Sequence, residues 1–198
     1  MSDDLRNERL DRKKVEEGVR LILEGIGEDP DRAGIADTPR RVAEMFEEIF
    51  AGYDHDPSEV VTVIAGAGHD EMIMVRDIPL FGICEHHVTP FVGRAYVSYI
   101  PNRDGRITGL SKVARLVDLL SKKLQVQERL TTEIADALEK ALDPRGVFVL
   151  IEAEHLCMTM RGIKKPGSVT VTSAVRGRFR TDARTRSEAL ELVRHGRP

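Results

Sequence analysis

The chain has 198 residues, 41% hydrophobic and 32% charged, which suits one globular domain with a helical extension and excludes a disordered or fibrous protein. Its formal net charge of -3 provides no overall attraction for nucleic acid or an anionic membrane, so any phosphate binding must be local. The polar first six residues predict no secretory signal, and no apolar run reaches transmembrane length. We therefore expect a cytoplasmic protein whose two cysteines, Cys84 and Cys157, are thiols or metal ligands and not a disulfide.

Apolar residues at helical spacing predict two amphipathic helices near the start of the chain. The first stripe runs through residues 15–26, and the second helix begins at Thr38-Pro39, a capping residue followed by proline at the first helical position. Both lie within residues 1–59, which we predict to be an N-terminal helical region.

From residue 60 onward, short apolar or alternating runs separated by turn residues predict strands. The later elements are predicted as a strand at 91–99, helices with apolar faces at 113–124 and 130–141, strands at 147–160 and 168–179, and a short helix at 187–193. The order of strands, two helices and strands indicates an α+β fold.

Two short clusters hold both cysteines and three of the six histidines: Cys84-Glu85-His86-His87 and Glu154-His155-Leu156-Cys157. Thiolate and imidazole are the ligands that zinc prefers, and a turn can direct both side chains of Cys-x-x-His to one ion. Cys157 could supply a third ligand from a distant strand. A structural zinc, closed by His155 as a fourth ligand, is the alternative.

The spacing of His155 and Cys157 argues against that closed site. On one continuous strand over 147–160 they would lie about 7 Å apart, whereas two ligands on a tetrahedral zinc lie about 3.5 Å apart. We therefore expect His155 beside the metal, with one coordination position open for a water of pKa about 7. His86 and His155 then become candidate acid/base groups, although either could serve only as a hydrogen-bonding neighbour or an interior residue.

Three further segments carry candidate binding groups. Ser111, Lys112 and Arg115 open a predicted helix and could bind an anion, or could form an ordinary polar face. Glu128 could accept the adjacent N–H donors of guanine, or merely complement a helix dipole. Arg161 begins a basic turn beyond Cys157 that could reach a substrate or be a solvated loop.

These motifs together resemble the GTP cyclohydrolase I family, and the resemblance runs in order from Asp37 to Phe179. It implies the tunnelling fold, with residues 60–198 as the catalytic domain. It also implies a homodecamer of two stacked pentameric rings that form a toroidal barrel, with active sites between subunits. Two departures stand out: Lys123-Leu124 replaces a frequent Arg-Pro pair, and Glu44 stands where some relatives have lysine.

The resemblance also implies roles for individual residues. The implied zinc ligands are Cys84, His87 and Cys157; the implied proton-transfer groups are His86 and His155, with help from Ser111; Glu128 with Gln127 would bind guanine; and Ser111, Lys112, Arg115, Arg161 and Arg41 would hold ribose and triphosphate.

The implied reaction is the zinc-dependent opening of the imidazole ring of GTP, with release of formate and formation of 7,8-dihydroneopterin triphosphate. The alternatives are another tunnelling-fold enzyme acting on a pterin or deazapurine, and a non-catalytic zinc-stabilised nucleotide-binding module.

Overall fold

The computed structural model describes residues 7, 9–65 and 68–194. The first six residues, on which the absence of a signal was predicted, lie outside that part. The chain divides into two compact units, Met1–His55 and Asp56–Pro198, whereas the sequence placed the boundary after residue 59. Within the described ranges, none of the helices combines the length and the apolar character that a membrane crossing requires.

The first unit contains two helices, α1 (Arg12–Gly25) and α2 (Thr38–Ile49), followed by a 3-10 turn at Ala51–Tyr53. The Asp11 side chain caps α1 by accepting a hydrogen bond from the backbone N–H of Lys14. Phe46 of α2 contacts Phe50, the residue that follows this helix, edge to face, with ring centroids 5.0 Å apart. Both helices predicted for this region are therefore present.

The second unit alternates strands and helices. Its elements are α3 (Pro57–Val60), β1 (Val63–Ile64), β2 (Ile73–Cys84), β3 (Thr89–Ile100), β4 (Ile107–Thr108), α4 (Leu110–Ser121), β5 (Leu124–Gln125), α5 (Gln127–Leu142), β6 (Gly146–His155), α6 (Leu156–Thr159), β7 (Val169–Gly177), α7 (Arg178–Thr181) and α8 (Ala183–Arg194). This content confirms the α+β class that the sequence predicts.

A five-stranded sheet in the order β5-β2-β3-β6-β7 forms the centre of this unit. β5 pairs with β2 in parallel, and every other pairing in this sheet is antiparallel. The two short strands β1 and β4 pair separately. β7 is an edge strand, so one side of its backbone has no partner strand within the described chain.

β6 is covered on both faces, which explains its nearly uninterrupted apolar sequence from Gly146 to Ile151. Phe148 and Leu150 pack with Phe179 and with residues of α8 in one cluster. Because side chains alternate along a strand, Val147, Val149 and Ile151 face the opposite side. α5 packs against both β6 and β7, so helices enclose the strand that carries His155.

Three predicted boundaries are wrong. Leu124 lies in β5 and not in the preceding helix, and Phe179 lies in α7 and not in the last strand. The strand predicted over residues 147–160 ends at His155, because the next four residues form the helical turn α6. This turn is closed by a hydrogen bond from the Met160 N–H to the Leu156 carbonyl, at 3.0 Å.

Candidate metal centre

Four strands and one helix meet at one end of the five-stranded sheet. β2 ends at Cys84, β6 ends at His155, and β3 begins between them at Thr89. β5 runs parallel to β2 beside Cys84 and leads directly into α5 at Gln127. The strand order therefore brings together segments that lie far apart in the sequence.

Cys84, His155 and Cys157 form a compact group whose ligand atoms all lie within 4.8 Å of one another. Cys84 is buried, His155 and Cys157 are half-buried, and both cysteines are free thiols, as predicted. Two thiolates and an imidazole suit zinc, whose tetrahedral ligands lie about 3.5 Å apart. The group therefore fits a zinc ion after a small adjustment of its side chains, and three protein ligands leave one position open.

The position of His155 differs from the sequence prediction. The expected 7 Å separation assumed one continuous strand, but Cys157 lies in α6 while His155 is the last residue of β6. The helical turn brings the Cys157 side chain back toward the strand end, so the two side chains converge on the same space as Cys84. The geometry thus removes the objection that kept His155 out of the ligand set.

His86 and His87 lie in the exposed turn between β2 and β3. The His86 Nδ1 atom is 3.7 Å from the Cys84 sulfur. His87 Nε2 instead lies 2.8 Å from Nη1 of Arg161, which donates the hydrogen bond. Among the described residues, His87 is not part of the Cys84, His155 and Cys157 group, and its role as a zinc ligand stays a prediction.

The imidazole of His155 is held on one face and at one edge. It stacks on Phe91, with ring centroids 4.9 Å apart and an interplanar angle of 14°. Its Nε2 lies 2.8 Å from the side-chain oxygen of Gln127. Burial lowers the pKa of His155 below its ordinary value, and the negative charge of Glu128 partly opposes that effect. The neutral ring is therefore favoured.

Phe91 is itself positioned by a glycine on the neighbouring strand. Gly82, Phe91 and His155 pair in register across β2, β3 and β6. A Cβ atom on Gly82 would lie 2.3 Å from the Phe91 ring. Only glycine leaves room for that ring beneath the imidazole.

Glu128 and Gln127 occupy the first turn of α5 in different environments. Glu128 is exposed, and its charge acts on His155. Gln127 is buried, with 1% exposed, and its side-chain amide bonds His155, two main-chain carbonyls and Thr172. The predicted contacts of both residues with guanine stay predictions.

Arg129 and Glu85 are site residues to which the sequence assigned no role. Arg129 forms an ion pair with Glu85, which lowers the pKa of that carboxyl, and it also bonds the carbonyl of Leu124 and the side chain of Gln125. The Glu85 N–H donates to the Gln125 carbonyl at 3.0 Å. These contacts tie the turn with Cys84 to the start of α5. The sequence signals were position alone: Glu85 lies between Cys84 and His86, and Arg129 follows Glu128.

The predicted phosphate-binding residues lie in three places. Ser111, Lys112 and Arg115 lie in the first two turns of α4, whose N-cap is Gly109. In the part of the chain that the structure describes, no hydrogen bond or ion pair joins Ser111 or Lys112 to the Cys84, His155 and Cys157 group. Arg161 contacts His87. Arg41 belongs to the first unit, where it pairs with Asp37 at 3.3 Å.

The geometry defines an α+β protein with a Cys/His group that could hold a metal ion at one end of its sheet. The family model of GTP cyclohydrolase I matches residues 15–194. GTP cyclohydrolase 1 of Carboxydothermus hydrogenoformans is 59% identical, over 96% of this chain and 98% of that protein. The proteins of the same name from Thermobifida fusca and Mycobacterium ulcerans are 59% and 60% identical, over 93% of this chain and 89% and 91% of their own lengths. The chain belongs to the GTP cyclohydrolase I family.

Membership of this family confirms the resemblance, and with it the hydrolase class, that the sequence predicts. Among solved structures, the crystal structure of the archaeosine synthase QueF-Like in the apo form has a TM-score of 0.42 and 14% identity, over 54% of this chain and 93% of that chain. A likeness this weak carries no conclusion.

Proposed function

We propose that the chain opens the imidazole ring of GTP by zinc-dependent hydrolysis, releases formate and forms 7,8-dihydroneopterin triphosphate. The observation that carries this proposal is the Cys84, His155 and Cys157 group in a member of the GTP cyclohydrolase I family, with Glu128 close enough to act on the pKa of His155. When bound, zinc would lower the pKa of a coordinated water to about 7 and so supply the hydrolytic nucleophile.

Cys84 and Cys157 belong to both possible zinc ligand sets. The family resemblance adds His87 as the third ligand, and this is the assignment we propose. The arrangement of side chains in the single chain instead offers His155. The two sets predict opposite outcomes for the zinc content of His155→Ala, so the choice can be tested directly.

His155 would deliver a proton to N7 of guanine during attack at C8, because that attack pushes electrons onto N7. The pKa of His155 is lowered by burial, so its protonated form is a stronger acid than an exposed histidine. The nearby carboxylate of Glu128 favours the protonated form and partly offsets the effect of burial. His86, 3.7 Å from the Cys84 sulfur, and Ser111 are proposed to assist the later proton transfers.

Glu128 would select the base by accepting N1–H and N2–H of guanine, which adenine cannot offer in that arrangement. The resemblance places Gln127 beside it. Lys112, Arg115, Arg161 and Arg41 would hold the triphosphate as local cations, which a chain with a net charge of -3 requires. The start of α4 adds backbone N–H donors next to Lys112.

We also propose a homodecamer, a toroidal barrel of two pentameric rings with active sites between subunits, in the cytoplasm. The edge strand β7 supports association, since Val169 and Val171 on it are 56% and 55% exposed. The free thiols at the metal group suit a reducing compartment. Sedimentation should give a particle ten times the 22.1 kDa chain, and a monomer would contradict the assembly.

One incubation tests the reaction. The zinc-loaded protein is mixed with GTP, and formate and the absorbance of the pterin product are followed together. Stoichiometric appearance of both is expected. GTP binding without formate would favour the non-catalytic nucleotide-binding module, and turnover of a pterin or deazapurine in place of GTP would favour the other tunnelling-fold enzymes.

A further inference from the structure

The side-chain amide of Gln127 is buried between two strands and His155. Its nitrogen lies 3.1 Å from the Ile151 carbonyl, 3.0 Å from the Thr170 carbonyl and 3.0 Å from Oγ1 of Thr172. Its oxygen lies 2.8 Å from Nε2 of His155. This one amide thus spans β6 and β7 and ends on the imidazole.

The surroundings fix which end of the amide is which. A main-chain carbonyl can only accept a hydrogen bond, so the Ile151 and Thr170 carbonyls require the NH₂ end of Gln127. The reversed amide would place its oxygen about 3 Å from both carbonyl oxygens, with no proton between them. The oxygen of Gln127 must therefore face His155.

Two threonine hydroxyls, one on buried Thr131 and one on half-buried Thr172, reinforce this orientation. Thr131 Oγ1 lies 2.6 Å from the main-chain carbonyl of Gln127, to which it donates its single proton. The 2.6 Å contact between the two threonine hydroxyls must then be donated by Thr172. The oxygen of Thr172 is left to accept from the Gln127 NH₂ group. The protons around this ring of three residues are consistent with only this amide orientation.

We propose that Gln127 is a positioning residue that holds the proton of neutral His155 on Nε2 and fixes the plane of its ring, so that Nδ1 is the nitrogen presented to the metal group and substrate. The oxygen of Gln127 can only accept, so Nε2 of His155 must donate to it. A neutral imidazole has one N–H, and Nδ1 therefore keeps the lone pair. Phe91 fixes one face of the same ring.

This assignment rests on the proposed function for the role of His155 and alters the part that Gln127 plays. Three acceptors share the two N–H protons of the Gln127 amide, its oxygen accepts from His155, and only 1% of the residue is exposed, so no N–H is left for a base. Its side chain would act on the reaction through His155, while guanine selection falls to the exposed Glu128. A ligating or proton-carrying histidine whose far nitrogen is held in this way is a recurring arrangement around metals.

Neutron diffraction on deuterated, zinc-loaded crystals observes both parts of the proposal without any activity measurement. We expect deuterium on Nε2 of His155, and two deuterium atoms on the Gln127 atom that faces the Ile151 and Thr170 carbonyls. A bare Nε2, or an oxygen facing those carbonyls, would overturn the proposal. Failure of the protein to release formate would instead count against the proposed function.

Variants separate positioning from contact with guanine. Gln127→Met should lower kcat about 10- to 100-fold with KM for GTP near that of the parent, because a neighbour of a metal-site histidine is removed. A raised KM with an unchanged kcat would mark a guanine contact and overturn the proposal. Gln127→Glu keeps an acceptor for Nε2 and, as the neutral acid, a donor for one of the two carbonyls, so it should recover part of kcat; recovery is also the criterion if Gln127→Met fails to fold.

Gln125→Met is the matched control. Gln125 is also 1% exposed, and it uses its amide on Leu120, Glu133 and Arg129, with no bond to His155. Gln125→Met therefore measures how much kcat falls when any buried amide near this end of the sheet is removed. The fall in kcat should be smaller for Gln125→Met than for Gln127→Met, and equal falls would contradict a specific action on His155.

Discussion

The two histidine-bearing segments of the metal centre are held in different ways. His155 ends a strand that is covered on both faces, stacks on Phe91 and bonds a buried glutamine. His86 and His87 lie in an exposed turn, which is tied to the rest of the fold by the contacts of Glu85 with Arg129 and Gln125 and by the bond of His87 with Arg161. The contrast suggests that the strand end is organised before metal binds, whereas the turn reaches its final arrangement with the metal.

The largest expected effect comes from the cysteines. Each segment contributes one of them, Cys84 or Cys157, to the candidate metal group. Cys84→Ser and Cys157→Ser should both lose zinc and all formate release, because a neutral hydroxyl replaces a thiolate ligand. Elemental analysis of the purified variants measures the metal. A full complement of zinc in Cys157→Ser would remove that residue from the site.

The histidines give the sharpest test of the comparison. With His87 as the third ligand, His87→Ala loses zinc, while His155→Ala keeps zinc and GTP binding but slows ring opening by about 10²- to 10⁴-fold. Zinc content, nucleotide binding and formate release are measured on each protein, with His86→Ala as a control that should retain zinc. Loss of zinc from His155→Ala would make His155 a ligand.

Glu128→Ala should weaken GTP binding and narrow the preference for GTP over ATP. Adenine would cover the Glu128 carboxylate without offering it the two N–H donors of guanine, and that discrimination is lost with the side chain. Competition between the two nucleotides measures it. As a control, Glu139→Ala removes an acid from the same helix far from the sheet end and should leave the preference intact. An unchanged preference in Glu128→Ala would show that Glu128 has no role in base selection.

Arg129→Met releases the turn and should reduce zinc affinity by about tenfold, the low end for groups that orient ligands. Its effect on the free energy of unfolding should be small, because the ion pair with Glu85 is exposed to solvent. Zinc titration against a chelator reads the affinity. Arg176→Met, which breaks an ion pair with Asp136 on α5, should not change it; equal losses in both variants would contradict the role of Arg129.

The smallest expected effect is on the pH dependence of unfolding in metal-free protein. Burial lowers the pKa of His155, so the folded state binds fewer protons than the unfolded state. The stability it contributes is complete above the unfolded pKa of about 6.5 and is lost as the pH falls from there to the folded pKa. The denaturant midpoint of His155→Gln should therefore vary less over that pH window than the midpoint of the parent protein. Identical pH profiles for the two proteins would contradict a lowered pKa of His155 in the folded state.

The sequence predicted the fold class and most elements because apolar periodicity reports directly on which faces are buried. It failed at the ends of elements, where the same apolar residues fit two structures. Leu156 and Met158 continue the apolar pattern of β6, so the local sequence does not predict the helical turn of α6. For that reason the predicted separation of His155 and Cys157 was wrong.

The site residues also divide into those that the sequence could select and those whose contacts it could not predict. Cysteine and histidine clusters announce metal chemistry by residue type alone, so Cys84, His155 and Cys157 could be selected from the sequence. Gln127 and Arg129 could not be assigned their contacts, because a glutamine or an arginine at the start of a helix is ordinary on the surface. Only the pairing of β6 with β7 shows that Gln127 is enclosed.

The position of the His155 ring depends on Gly82, a residue with no functional side chain. Because an added Cβ would lie 2.3 Å from the ring of Phe91, any larger residue there pushes that ring, and the ring in turn supports His155. A methyl group added two strands away would thus displace the imidazole through van der Waals contacts alone. Position 82 is therefore a site from which directed evolution could alter turnover without touching a ligand, a proton donor or a substrate contact.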